Sequence, residues 1–527
     1  MKVIKSIFVL AVLFCGFFYI LTVCSDTSEP YISHDPIIVE GAPSSPENPY
    51  IIDGYEITNP DGPGIQIRHV DYVVIRNNYV HDCGTEISEA IQEEIKDGGL
   101  ATLAVMDEPF KTGGILVFDA KHIEIYNNTV INNDYGIKVW GHRFRAESVS
   151  VHDNEVKESH RSFFISVSKA DNVDITDNHV EDNGLSIFID NEGLEAAFER
   201  GEDFGDGRSQ GILTDGCNHV TITGNTVINS SSDGIGVTQG ELEYVEGIEI
   251  AHNTVLRNGE QGLWLVKARN GTIHDNIISE NRHRIDTTGG SSGIEFEGEV
   301  FDFKIYNNEI SYNDMFGIYF INSSDNEIYN NEIHHNGDGA IGWGEIFYWD
   351  DEYYAGETIS GELIVRDNDV HHNRMAVFKF LMDFSKNFTG KIIVDGNTFT
   401  KNGGNPIHYE FYDDFDMTAH LEEWEYDGES VMLLGANEEF IDLFEIGTNT
   451  TDGEEVTGFP REEKELEKTA PPEEEEKKTQ EPPTYESKES EPLPEPDESD
   501  NTAYFIVFVI VIVLLAGVLR YTRRKSN

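Results

Sequence analysis

The chain has 527 residues, with 37 Lys and Arg against 98 Asp and Glu and a formal charge of −61. Charge of that sign repels phosphate backbones, which excludes nucleic acid as a partner and disfavours an unassisted polyanionic glycan. Residues 453–502 hold 18 acidic and 6 basic side chains, yet the body preceding them still carries most of the excess, about −55.

Residues 1–25 read as an export signal. Lys2 and Lys5 precede an apolar run, and Val23, Cys24 and Ser25 offer small residues for cleavage before Asp26. The competing reading is an uncleaved N-terminal anchor. From about residue 50 a phrase recurs: an apolar residue, two spacers, Asn, one spacer and another apolar residue. It is centred on Asn78, Asn128, Asn154, Asn178, Asn225, Asn253, Asn276, Asn308, Asn331, Asn368 and Asn397. In the two clearest copies, Ile305, Asn308, Ile310 and Asn313 return as Ile328, Asn331, Ile333 and Asn336, a shift of 23 residues.

The slot three before each Asn is always Ile or Val, a strand former, and the residue just before the Asn is Asn, Asp, Gly or His. Those types tolerate left-handed backbone, so a bend is expected there. A second polar residue, usually Asn, stands five further on. Then comes Gly or Ala and one more strand, as at Gly211-Ile212, Gly234-Ile235 and Gly293-Ile294. Three short strands and three bends per repeat make one triangular coil. Stacking sets equivalent strands about 4.8 Å apart and lines the Asn side chains into ladders.

The pattern resembles the right-handed parallel β-helix of the pectin-lyase-like superfamily, especially its NosD-like sugar-binding and sugar-hydrolase repeats. The expected fold is all-β, with the solenoid over 26–410. Leucine-rich repeats share part of the phrase, but the apolar slots here are β-branched and the return segment opens with Gly-Ile strands. A left-handed hexapeptide helix needs an unbroken six-residue period, which the five-residue spacing of the two Asn positions denies.

Insertions at 85–112 and 185–210 carry short helical patterns, and a third at 344–361 is aromatic and acidic. Residues 411–452 are expected to cap the stack. Residues 453–502 are too poor in aliphatic residues for a core and read as a stiff acidic stalk. Residues 503–519 form an apolar run of 17 residues closed by Arg520, Arg523, Arg524 and Lys525, the pattern of a single span with residues 520–527 in the cytoplasm and the body outside. Together with the acidic composition this resembles an archaeal envelope protein. Cys15 and Cys24 fall in the leader, so Cys83 and Cys217 are read as buried single thiols. Sequons start at Asn127, Asn229, Asn270, Asn322, Asn387 and Asn449, which permits glycosylation without showing it.

In the superfamily resembled, binding and catalytic residues lie on the outward face of one sheet beside long turns, which here points to the Gly-Ile strands. Aligned by their inward Ile, these strands present Lys138, Ser166, Leu213, Gly236, Trp264, Glu295, Tyr319, Gly342, Phe378 and His408 outward, and one pleat on Trp140, Ser168, Asp215, Thr238, Val266, Glu297, Ile321, Gly344, Phe380 and Glu410. Trp264, Glu295 and Tyr319 are expected to form one exposed patch, with Trp140 and Lys138 as further ligand-binding candidates. Exposed rings beside carboxylates suit sugar faces and hydroxyls. The alternative is that the rings pack beneath the insertions.

Glu295, Glu297 and Asp215 are the weak catalytic candidates, since an inverting glycosidase needs two carboxylates roughly 6.5–9.5 Å apart. The motif sets of polygalacturonase-like and epimerase-like sites are absent, and Arg143 and Arg145 lack an aligned calcium-binding Asp cluster. No cofactor is implied; calcium is compatible with the acidic surface but no motif assigns it. His334-His335 and His371-His372 suggest metal, yet neighbouring strand residues face opposite ways, so no metal is expected. The functions expected are, in order, carbohydrate binding at the cell surface, polysaccharide hydrolysis on the same face, and a structural adhesin or spacer.

Overall fold

A computed structural model describes residues 31–85, 112–160, 164–183, 210–282, 291–321, 323–344, 361–380, 390–403, 430–434 and 443–457. The leader, the helical patterns at 85–112 and 185–210, the aromatic insertion, the stalk and the apolar run at 503–519 lie wholly or almost wholly outside these residues. No helix among the described residues is long and apolar enough to cross a membrane.

The repeat becomes three parallel sheets of 15, 13 and 13 strands, each strand pairing with its equivalent in the next coil. One 13-stranded sheet holds the strands that precede the Asn, such as Phe301–Tyr306. The 15-stranded sheet holds the three-residue strands that follow it, such as Glu309–Ser311. The other 13-stranded sheet holds the Gly-Ile strands, such as Ile294–Glu297. Inward Ile and Val columns fill the interior; Ile65, Ile115, Ile165, Ile212, Ile235, Ile294, Ile318 and Ile341 are fully buried.

The corner before each ladder Asn is left-handed, with Asn77, Asn127, Asp153, Asp177, His252, Asp275, Asn307, Asn330 and Asp367 all near φ 52–56°. That bend turns the next side chain into the stack. Asn308 Nδ2 donates to Asn331 Oδ1 at 2.9 Å and to the Ile273 carbonyl at 2.9 Å, while Asn308 N donates to the same Oδ1 at 3.0 Å. The pattern repeats from Asn78 to Asn397 and passes on to Asn449. A second ladder runs through Ser230, Asn258, Asn281, Asn313, Asn336, Asn373, Asn402 and Ser430.

Asn449 lies outside the repeat phrase because the slot two after it is Thr451 instead of an apolar residue, although Phe444 and Ile446 fill the slots before it. Within the segment read as a cap, Leu433–Leu434, Phe444–Ile446 and Asn449–Thr451 thus add one more coil. Glu454–Val456 then folds back antiparallel on Asn449–Thr451 and pairs the edge that would otherwise remain open.

The glycine before each Gly-Ile strand is set by packing. At Gly293 an added Cβ would stand 2.5 Å from Ile310 Cγ2, 2.7 Å from the Gly317 carbonyl and 2.8 Å from Asn313 Nδ2, so the corner closes only on hydrogen. Cys83 and Cys217 are free, buried thiols.

Candidate functional site

The outward rows of the Gly-Ile sheet hold their expected register from Lys138 through Ser166, Leu213, Gly236, Trp264, Glu295 and Tyr319 to Gly342. The next rung differs. Phe378 pairs with Ile341 and is fully buried, and Lys379 takes the outward place beside Gly342. Here Val377-Phe378 fills the Gly-Ile slot, and the preceding Ala376-Val377 resembles that dipeptide closely enough to shift the expected register by one residue. His408 and Glu410 lie outside the described residues.

Trp264, Glu295 and Tyr319 therefore occupy three successive rungs, but they do not form an exposed patch. Glu295 is 7% exposed, Glu297 8% and Tyr319 8%, while Trp264 is half-buried. The Tyr319 ring stacks on Phe316 with centroids 5.1 Å apart, and its hydroxyl lies over Gly344, where any Cβ would collide with it. Tyr319 is a wall rather than an open platform.

Around Glu295 a polar network crosses four coils. Gln210 Nε2 donates to Asp233 Oδ2 at 2.9 Å, Gln261 N donates to Asp233 Oδ1 at 3.2 Å, and Gln261 Nε2 donates to Glu295 Oε2 at 2.8 Å. Trp264 Nε1 donates to Glu297 Oε2 at 2.8 Å. Burial pushes the Glu295 carboxyl up to about 8; the Gln261 hydrogen bond opposes this, and the charges of Glu297, Asp233 and Glu260 add to it. Glu295 is thus a neutral acid at pH 7 beside a carboxylate held by an indole. Glu295 and Glu297 are alternate residues on one face, with Cα atoms about 6.6 Å apart by strand rise.

Asp215 does not join them. It sits on the same sheet, accepts from Thr238 Oγ1 at 2.7 Å, and is three coils from Glu297, about 14 Å away. Lys138 and Trp140 are four coils from Trp264, about 19 Å, and make their own group: the Lys138 ammonium lies 5.4 Å from the Trp140 ring and 5.3 Å from that of Tyr135, and Phe118 meets Trp140 edge-on at 6.4 Å. Arg145 is committed to Asp171 at 2.8 Å and to the carbonyls of Ala170 and Gly216.

Asp233, Gln210 and Gln261 escaped the sequence reading. Each stands just before the Gly of its strand, a corner slot whose side chain turns onto the sheet face; a polar residue there, beside Gly-Ile, was the available signal.

The histidine pairs also differ from expectation. His335 and His372 have φ 55°, so each turns back on its predecessor instead of facing away. His334 Nδ1 lies 2.8 Å from His335 Nδ1, and His371 Nδ1 2.9 Å from His372 Nδ1.

The sequence matches the family described as the right handed beta helix region over residues 33–201 and 286–419, more than half its length. The chain belongs to that family. Its sheets are those of a right-handed parallel β-helix of the pectin-lyase-like kind. Residues 200–350 also match the family described as periplasmic copper-binding protein (NosD), a match that ends before His371 and His372. Among solved structures, a mutant of the periplasmic alginate epimerase AlgG is 14% identical, with a TM-score of 0.49 over 71% of this β-helix chain and 79% of that one. The mannuronan C-5 epimerase AlgE4 A-module of Azotobacter vinelandii is 13% identical, TM-score 0.42, over 70% and 84%. A hyperthermoactive exopolygalacturonase of Thermotoga maritima is 10% identical, TM-score 0.37, over 70% and 84%. No curated protein matches.

Proposed function

We propose that this β-helix protein binds polysaccharide laid across the rungs of its Gly-Ile sheet, outside the cell. The observation that carries the reading is the outward face joining two groups of ring and polar side chain, Lys138 with Trp140 and Trp264 with Glu295, about four coil spacings apart. Indole faces stack on the apolar faces of sugar rings, while the ammonium and the fixed carboxyl groups take hydroxyl hydrogen bonds. Tyr319 belongs to this reading as a packed side wall and not as a contact. Membrane anchoring through 503–519 would hold the binding face at the cell surface.

A glycan array with the full chain tests it. Trp140→Ala and Trp264→Ala should each weaken a hit by at least tenfold with the circular dichroism unchanged; hits indifferent to both substitutions would overturn the proposal.

A second reading, hydrolysis, is favoured by the neutral acid Glu295 beside Glu297. In it Glu295 protonates the leaving oxygen and Glu297 activates water, the division of roles of an inverting glycosidase. New reducing ends that disappear in Glu295→Gln would support it, and binding without reducing ends would leave the protein a lectin.

A further inference from the structure

Most coils leave the 15-stranded sheet through two residues, the first ending a three-residue strand and the second in left-handed backbone. That bend brings the two side chains together. At His81-Asp82 it sets Nδ1 2.6 Å from the neighbouring carboxylate, and the left-handed corner before the ladder Asn does the same at His152-Asp153 and His274-Asp275, at 2.8 Å in each. In two consecutive coils both residues are histidine. His334 pairs with His371 across the sheet with rings stacked at 4.8 Å and 6°, and His335 stacks on His372 at 5.1 Å and 5°.

The 2.8 and 2.9 Å separations are those of two nitrogens in neighbouring positions on one metal ion. With metal–nitrogen bonds of about 2.0–2.1 Å, a right angle at the metal sets its nitrogens roughly 2.8–3.0 Å apart. The far side of the rings is arranged to match. His371 Nε2 lies 3.2 Å from Glu332 Oε1, and His334 Nε2 lies 3.8 Å from Glu309 Oε1. The Glu332 carboxylate is close enough to keep the proton on His371 Nε2 and leave its Nδ1 lone pair facing the partner ring. Tyr312, stacked on His335 at 4.7 Å, forms the floor. Burial, then the neighbouring imidazoles, hold His335 down at about 4, so it is an uncharged donor at neutral pH. His334 alone is buried; the other three reach the surface in part.

We propose that His334, His335 and His371, each of which offers a ring nitrogen within 4.8 Å of the others, bind a late first-row divalent cation, copper, nickel or zinc, with His372 stacked beside them on His335. All-imidazole donors select these ions over calcium and magnesium, which take oxygen. The site lies on a corner of the 15-stranded sheet, away from the glycan row, and does not depend on the reading of that row.

The test uses the full chain, stripped of metal and dialysed against copper(II), nickel(II) or zinc(II) with excess magnesium to occupy carboxylates. Bound metal is counted by mass spectrometry, and nitrogen coupling is read in the copper electron paramagnetic resonance spectrum. The control is His335→Asn with His372→Asn, because Asn132 and Asn229 take the same left-handed corner at φ 54° and 62°. The wild type should show nitrogen coupling and bind at least tenfold more tightly than the double variant, and zinc should raise the melting temperature of the wild type alone. Glu332→Gln, at a residue that contacts His371 and not the metal itself, should weaken binding about 10-fold. Equal binding and equal nitrogen coupling in the folded double variant would overturn the proposal, as would zinc stabilising both proteins alike.

Discussion

Trp264 Nε1 donates to Glu297 Oε2 at 2.8 Å, diagonally across one coil and one pleat, so the ring that faces the glycan row is aimed by the carboxylate beside the neutral acid. Trp264→Phe keeps a ring but removes the donor to the buried Glu297 carboxyl group. We expect a loss of about 1.5–3 kcal/mol in urea unfolding. Glu297→Gln keeps an acceptor and should cost less than about 1 kcal/mol.

Glu295 carries a pH signature. Its folded value of about 8 lies above the ordinary carboxyl value of 4.5, so the unfolded chain releases a proton that the folded protein keeps. Stability should be greatest below pH 4.5 as far as this group is concerned, and fall progressively as pH rises from 4.5 to about 8. Glu295→Gln, which can still accept from Gln261, should flatten that slope when unfolding is followed between pH 5 and 8.

Asn331→Ala should open the ladder at one rung. Asn308 N and Nδ2 lose their acceptor and the Ile305 carbonyl loses its donor, all buried. The expected cost is about 2–5 kcal/mol. Because each coil leans only on its neighbours, hydrogen exchange should speed most in the strands next to Asn331 and least at the distant end.

Gly293→Ala reverses the usual sign of a glycine replacement. The added methyl group meets Ile310, the Gly317 carbonyl and Asn313 in a closed corner, and we expect a loss of about 1–3 kcal/mol by thermal unfolding.

Cys83 and Cys217 should resist thiol reagents in the folded protein, since burial pushes both thiols up to about 12. Labelling should appear only with unfolding.

The sequence by itself determined the solenoid and its register, because a side-chain period of two and a Gly or Asn at each corner fix which residue faces inward, and stacking then multiplies that choice coil by coil. The Asn ladder and the succession Trp264, Glu295, Tyr319 follow from that alone. Only the tertiary structure decided how deep those side chains lie. Exposure depends on what neighbouring rungs present, and so Tyr319 became a wall over Gly344 and Phe378 turned inward in place of Lys379. The histidine pairs show the same division: alternation in a strand sends neighbours to opposite faces, but a left-handed second residue cancels it, and φ is a property of the corner rather than of the dipeptide.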